Sequence, residues 1–166
     1  MWVLTYAKQH RLRGVYLSGH SAGSHLLAMM FSSAWFQSLS PGDRQLFAGV
    51  VHLSGVFDLT QILQTSVNTP EMNLNNDNVN SLSPLDQNNV DRVVSAASHV
   101  KHLIVYGEHD SPVFKHQARQ YHDKLKKNGV KNIKLVEVKK ADHFNLVEDL
   151  RLNDYTLSKE IIKFME

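Results

Sequence analysis

Cysteine is absent from the 166 residues, which excludes disulfides, zinc–thiolate sites and a thiol nucleophile. Charge of one sign is scarce as well: 18 Lys and Arg against 16 Asp and Glu leave a formal net charge of +2. That surplus is too small for recognising a polyanion, so no nucleic-acid partner is expected. No apolar run approaches the roughly 18 residues of a membrane span. Met1 to Arg13 has neither the basic start nor the apolar core of a signal peptide. No membrane partner is expected, and the location expected is cytoplasmic. With thiolates gone, metal ligation would fall to the ten histidines, but there is no H-E-x-x-H and no compact His/Asp/Glu spacing, so no metal site is expected. What remains is 42% hydrophobic and 20% charged residues, the composition of one soluble globular domain over residues 1–166.

Periodicity then orders the chain. TYAKQHRLR near the start has no strong pattern, but Gly14 to Gly19 (GVYLSG) is a short β-rich apolar run closed by glycine. Ser21 to Phe36 follows with Leu26, Leu27, Met30, Phe31 and Trp35 at helical spacings. Strand, glycine turn and helix form half of a βαβ unit. Leu46 to Gly55, His102 to Gly107 and Ile133 to Val138 are further apolar runs of strand length. Pro112 to Lys127 reads as a helix opened by Ser111 and Pro112 and closed by Asn128 and Gly129, and Asn153 to Met165 as a final amphipathic helix. Alternating strands and helices, with nearly continuous apolar strands, predict an α/β fold with about four parallel strands covered by helices. The exception is the stretch 59–89, whose second half holds seven asparagines between Asn73 and Asn89 and too few large apolar groups for a core element. It reads as an irregular excursion, a pocket wall or lid on one view and a solvated loop on the other.

The strongest chemical signal is Gly19-His20-Ser21-Ala22-Gly23, a G-x-S-x-G sequence at a strand-to-helix junction. A serine on so tight a turn takes a strained backbone, and glycines at 19 and 23 are expected to relieve crowding around it. The turn lifts the hydroxyl above the sheet, where the backbone amide of Ala22 can face a developing oxyanion. His20 is expected to line this elbow. A serine hydroxyl needs a base, and an imidazole held by a carboxylate is the usual one. Reactive groups in such a sheet gather at the carboxyl ends of strands. That filter selects His143, after the strand at 133–138, and Asp110, after the strand at 102–107. Glu108 competes with Asp110 for the acid role and His109 with His143 for the base, while Asp142 is expected to shape its loop. The chain order is Ser21, Asp110, His143, the nucleophile–acid–base order of α/β-hydrolases.

Several stretches resemble the arylformamidase (kynurenine formamidase) branch of the α/β-hydrolases: GHSAGSHL at 19–26, HLSGVFDL at 52–59, SLSPL at 81–85, YGEHDSPVFKHQ at 106–117 and ADHFNLVEDL at 141–150. The GEHDSP and DHFNLVE pieces discriminate most, because G-x-S-x-G is shared by lipases, esterases and peptidases. The resemblance implies cofactor-free hydrolysis of N-formylkynurenine, a small-molecule substrate, to kynurenine and formate in tryptophan breakdown. The same resemblance implies that Ser21, Asp110 and His143 take the roles of nucleophile, acid and base.

The sequence departs from that family in one respect. Its members carry an HGG-type loop upstream of the serine that supplies further oxyanion donors, whereas 18 residues precede Gly19 here. The expectation is therefore the C-terminal portion of an α/β-hydrolase fold, with the elbow strand and helix at 14–36, the irregular loop at 59–89 and the acid and histidine loops at 107–112 and 139–145. On that view the 14–19 strand becomes a sheet edge open to self-association. Activity is expected to be weak or lost, since one oxyanion donor is typically worth about a hundred- to thousandfold in turnover. Two alternatives accompany this reading: a carboxylesterase of the same fold, and a catalytically silent chain that binds a ligand or partner.

Overall fold

The structure is a computed structural model and describes residues 2–166. Helix α1 (Trp2–Gln9) leads into β1 (Val15–His20), then α2 (Ala22–Ser32), α3 (Ala34–Ser38), α4 (Pro41–Gln45) and β2 (Phe47–Leu53). After a long excursion come α5 (Gln87–Ala97), β3 (Lys101–Gly107), α6 (Pro112–Lys127), β4 (Ile133–Val138), α7 (Asn145–Glu148) and α8 (Thr156–Met165). All three strand pairings are parallel and the spatial order is β1-β2-β3-β4, so β1 and β4 are the edges. No helix among the described residues is long and apolar enough to cross a membrane.

The period of two along the central strands divides the core. Val50, Ile104 and Tyr106 face a cluster with Ala28 and Phe31 of α2, Val90 and Val93 of α5, and Tyr121 and Leu125 of α6. Val51, Leu53, Leu103 and Val105 face the opposite side, against Leu146 of α7 and Leu157 of α8. When strand order follows chain order, right-handed crossovers send their helices to the same face, as α2, α5 and α6 show. Phe31, Phe36 and Phe47 are each at most 1% exposed and meet edge-on or tilted, each burial being worth roughly 1.5–3 kcal/mol.

Four elements differ from the sequence expectation. The helix expected over 21–36 breaks at Ser33, which turns extended (φ −69°, ψ 153°) and accepts from the Phe36 amide as the cap of α3. Ser32 and Ser33 both bond back to carbonyls of the preceding turn, the local competition that makes serine a poor helix interior. The patternless start is helix α1, which buries only Leu4 and Ala7 and so leaves little periodic signal. Helix α8 begins at Thr156 rather than Asn153. Helix α5 starts inside the stretch read as irregular: Asp86 caps it through the Asn88 amide, and its buried face is built from Asn89, Val90, Val93, Ala96 and Ala97, mostly small residues.

The remainder of the excursion, 59–86, carries short 3-10 turns at Thr60–Ile62 and Pro70–Met72. Its asparagines bond locally where a strand or helix would otherwise satisfy the backbone: Asn75 Oδ1 accepts from the amides of Asp77 and Asn78, and Asn73 adopts a left-handed φ of 48°.

Candidate active site

The junction of β1 and α2 makes the sharp turn that G-x-S-x-G predicts. Ser21 has φ 54° and ψ −117°, a combination costly for a residue with a β-carbon, and its amide is tied to the Leu53 carbonyl of β2 at 2.9 Å. Its side chain makes no capping bond to α2. The first amides of a helix have no intrahelical acceptor, and Ala22, the first residue of α2, carries one of them directly after Ser21. The crowding expected at both glycines falls on one. A β-carbon on Gly19 would lie 2.5 Å from the Gly23 carbonyl oxygen, whereas one on Gly23 would meet nothing within 4 Å. The close approach is between the Gly19 α-carbon and the Gly23–Ser24 peptide, and the Gly23 α-hydrogens point to open space.

Asp110 sits in the turn between β3 and α6 with its side chain fully buried, and its Oδ1 accepts from His143 Nδ1 at 3.0 Å. A carboxylate only accepts, so Nδ1 carries the proton and Nε2 is left as the acceptor of a neutral imidazole. Two loops must nearly touch for this. A β-carbon on Gly107 would fall 2.4 Å from the Ala141 carbonyl oxygen, and the His109 amide donates to that same oxygen at 2.8 Å. Asp142 shapes the histidine loop as expected, accepting from the amides of Phe144 and Asn145 at 2.8 Å. Glu108 instead turns outward to Lys139 and the Lys140 amide, whose hydrogen bonds hold its carboxyl below the usual range.

His20 does more than line the elbow. Its Nε2 donates to the His143 carbonyl at 2.8 Å, and the two rings lie 4.6 Å apart. Burial, the largest influence, lowers the pKa of His20, opposed by that hydrogen bond and reinforced by His143. The other face of His143 is covered by Phe114, with ring centroids 4.4 Å apart. Among the described residues no hydrogen bond joins the Ser21 hydroxyl to His143, and such bonds are often long before substrate binds. Phe114 spans the two: it packs on His143 and lines, with Ser21, a cavity of about 760 Å³.

That cavity opens beside Ser21, Ala22 and His25, and its far wall is the excursion, through Leu59, Ile62, Val67, Met72, Leu74 and Leu82. His25 Nε2 donates to the Leu82 carbonyl at 2.8 Å and fastens the wall to α2. Gln117 is spent on structure, accepting from the amides of Phe57 and Asp58 and donating to the Asp58 carbonyl. Among the described residues no group of three or more His, Cys, Asp or Glu could hold a metal ion.

Beneath the elbow, His52 accepts or donates at 2.9 Å to Ser24 of α2 and stacks on His102, rings 5.6 Å apart. Burial drives the pKa of His52 well below its ordinary value and that of His102 down to about 4.

Ser54 is the residue whose part in the site the sequence reading missed. Its hydroxyl donates to Asp110 Oδ2, which also accepts from the Gly107 amide at 3.3 Å. The available signal was position alone: Ser54 directly follows the apolar run that ends at Leu53, so it stands at the carboxyl end of its strand, where reactive groups gather in such a sheet.

Comparison with known proteins agrees with this architecture. Residues 4–165 match the model of the prolyl oligopeptidase family. The chain is 35% identical over 160 residues to a kynurenine formamidase of Danio rerio and 36% identical over 163 residues to that of Salmo salar, covering 93% of this chain and 50% of each relative. It thus spans about half the length of the curated relatives it matches, and the likeness to arylformamidases expected from the motifs is borne out. A putative thioesterase from Silicibacter sp. superposes with a TM-score of 0.72 at 26% identity, covering 96% of this chain and 55% of that one. An acylaminoacyl peptidase of Pyrococcus horikoshii does so with a TM-score of 0.62 at 15% identity, covering 97% and 26%. With four parallel strands, the strained serine turn and a family match over nearly its whole length, the chain belongs to the prolyl oligopeptidase family, within the α/β-hydrolase fold.

Proposed function

We propose that the chain is the triad-bearing part of a serine hydrolase of the arylformamidase type, acting on N-formylkynurenine or a similar aryl formamide. Ser21 is the nucleophile, His143 the base, Asp110 the acid and the Ala22 amide an oxyanion donor. The observation that supports this most is the His143 Nδ1 to Asp110 Oδ1 bond, which leaves Nε2 able to take a proton at the rim where Ser21 opens onto the cavity.

In this reading Ser21 Oγ attacks the formyl carbon while His143 Nε2 takes the hydroxyl proton, and the carbonyl electrons collect on an oxygen facing the Ala22 N–H. Collapse breaks the C–N bond as His143 returns the proton to the departing arylamine. Water, deprotonated by His143, then attacks the formyl ester and releases formate and Ser21. The step needs no cofactor. With Ala22 as one donor, turnover by the chain alone is proposed to lie below that of a two-donor site by about a hundred- to thousandfold.

A second reading, a carboxylesterase, has one observation in its favour. The residues lining the cavity include no Lys, Arg, Asp or Glu, so the amino-acid end of N-formylkynurenine would find no counter-charge among them. Turnover of N-formylkynurenine compared with neutral short-chain aryl esters decides between the two: preference for the formamide supports the first, ester hydrolysis alone the second.

The proposal carries with it the cytoplasmic placement expected from the sequence. It also includes self-association, which the edge position of β1 supports. Molecular mass measured across protein concentrations tests this, and a monomer throughout would remove it.

A further inference from the structure

We infer that Ser54 is a positioning residue that holds the Asp110 carboxylate ionised and aimed at His143, at the expense of backbone strain. The inference rests on the reading of Asp110 and His143 as acid and base, and its test separates the two. Ser54 follows the last residue of β2, is fully buried, and has its amide fixed to the Val105 carbonyl at 2.8 Å. Its φ is 43°, in the left-handed region that suits glycine and disfavours a residue with a β-carbon. That conformation turns the hydroxyl onto Asp110 Oδ2.

The carboxylate has no exposed surface, so its charge depends on the bonds it accepts: His143 on Oδ1, Ser54 and the Gly107 amide on Oδ2. A carboxylate out of water that loses one such donor gains proton affinity, in general by about one pK unit per bond. Oδ2 without Ser54 would keep only the 3.3 Å contact to Gly107, and the proton shared with His143 would be drawn toward Asp110. The other titratable groups facing the pair are His20 from the elbow, His109 from the acid loop and Asp142 from the histidine loop, and substitution at Ser54 alters none of them.

Ser54→Ala and Ser54→Gly separate positioning from packing. Glycine relieves the positive φ, so Ser54→Gly is expected to melt at or above the temperature of Ser54→Ala while lacking the same hydroxyl. In both variants the His143 ring, followed by NMR, is expected to titrate about one unit higher than in the unsubstituted chain, a readout that requires no turnover. Where turnover is measurable, kcat is expected to fall about tenfold or more with KM unchanged, and the acid limb of the pH profile to move up with the NMR titration. Unchanged His143 titration in both folded variants overturns the inference, whatever their stability. Failure of the hydrolase reading would appear separately, as absence of serine labelling in the unsubstituted chain.

Discussion

The Nε2 of His20 donates to the carbonyl oxygen of His143 at 2.8 Å, which fastens the end of β1, next to Ser21, to the loop that carries the imidazole. The two segments are 123 positions apart in the chain. The two rings also pack together, with centroids 4.6 Å apart. Removing the hydrogen bond with His20→Ala should slow acylation of Ser21 by about tenfold, the worth of one hydrogen bond, with little change in melting temperature. The rate of inhibition by an organophosphorus ester measures this, and an unchanged rate would leave His20 no positioning role.

Strain at Ser21 predicts a trade of stability for function. Ser21→Gly should abolish acylation and stabilise the fold by about 1 kcal/mol, because glycine adopts φ 54° without penalty. Urea unfolding of the two proteins compares them directly, and a less stable Ser21→Gly variant would contradict the strain.

Gly107 is where the acid and histidine loops approach most closely. Gly107→Ala places a β-carbon 2.4 Å from a backbone oxygen that cannot swing aside, so the loop bearing His143 must retreat. We expect about 1–3 kcal/mol of destabilisation together with weakening of the His143–Asp110 bond. The same substitution at Gly23, where nothing lies within 4 Å, should be far milder. Equal effects at the two positions would be evidence against the geometry.

The buried His52–His102 pair makes stability depend on pH. Burial is the main cause at both residues, with a neighbouring imidazole adding in the same direction: His99 for His102, and His102 for His52. The unfolded chain binds a proton at these residues below its ordinary value of 6.5, while folded His102 resists protonation until about 4. The stability is therefore complete above 6.5 and is lost as pH falls toward 4, by about 3 kcal/mol from His102 alone. Among the described residues neither ring nitrogen of His102 has a hydrogen-bond partner, so His102→Leu should both flatten this dependence and raise stability at low pH. Unfolding midpoints between about pH 7.5 and 4.5 provide the test, and a flat profile for the unsubstituted chain would refute it.

The sequence made some of these features legible because they are local. The elbow at 19–23, the cap and first-turn pair Ser111-Pro112 and the closing Asn128-Gly129 all depend on neighbours in the chain, and the structure places each where the residues suggested. The strand at 133–138 was visible as an apolar run of strand length, interrupted by Lys134 and Glu137. Helix α5 carries a helical period in Val90, Val93, Ala96 and Ala97, but its asparagine-rich start merges with the irregular stretch and the alanines of its buried face are weakly apolar. The cavity wall was hidden for a different reason: Ile62, Val67, Met72, Leu74 and Leu82 are scattered through polar sequence and converge only when the excursion folds back over α2. Ser54 and His20 act across the chain, on Asp110 and His143, and no spacing rule connects such partners.

The central claim is that the Ser21 hydroxyl, served by His143 and Asp110, is a nucleophile. It is tested most directly by treating the folded chain with a fluorophosphonate and mapping the adduct by mass spectrometry. The account predicts one phosphonyl group on Ser21, none on Ser21→Ala, and labelling slowed about a hundredfold or more in His143→Ala. A folded chain that remains unlabelled at Ser21, or is labelled there equally fast without His143, would contradict it.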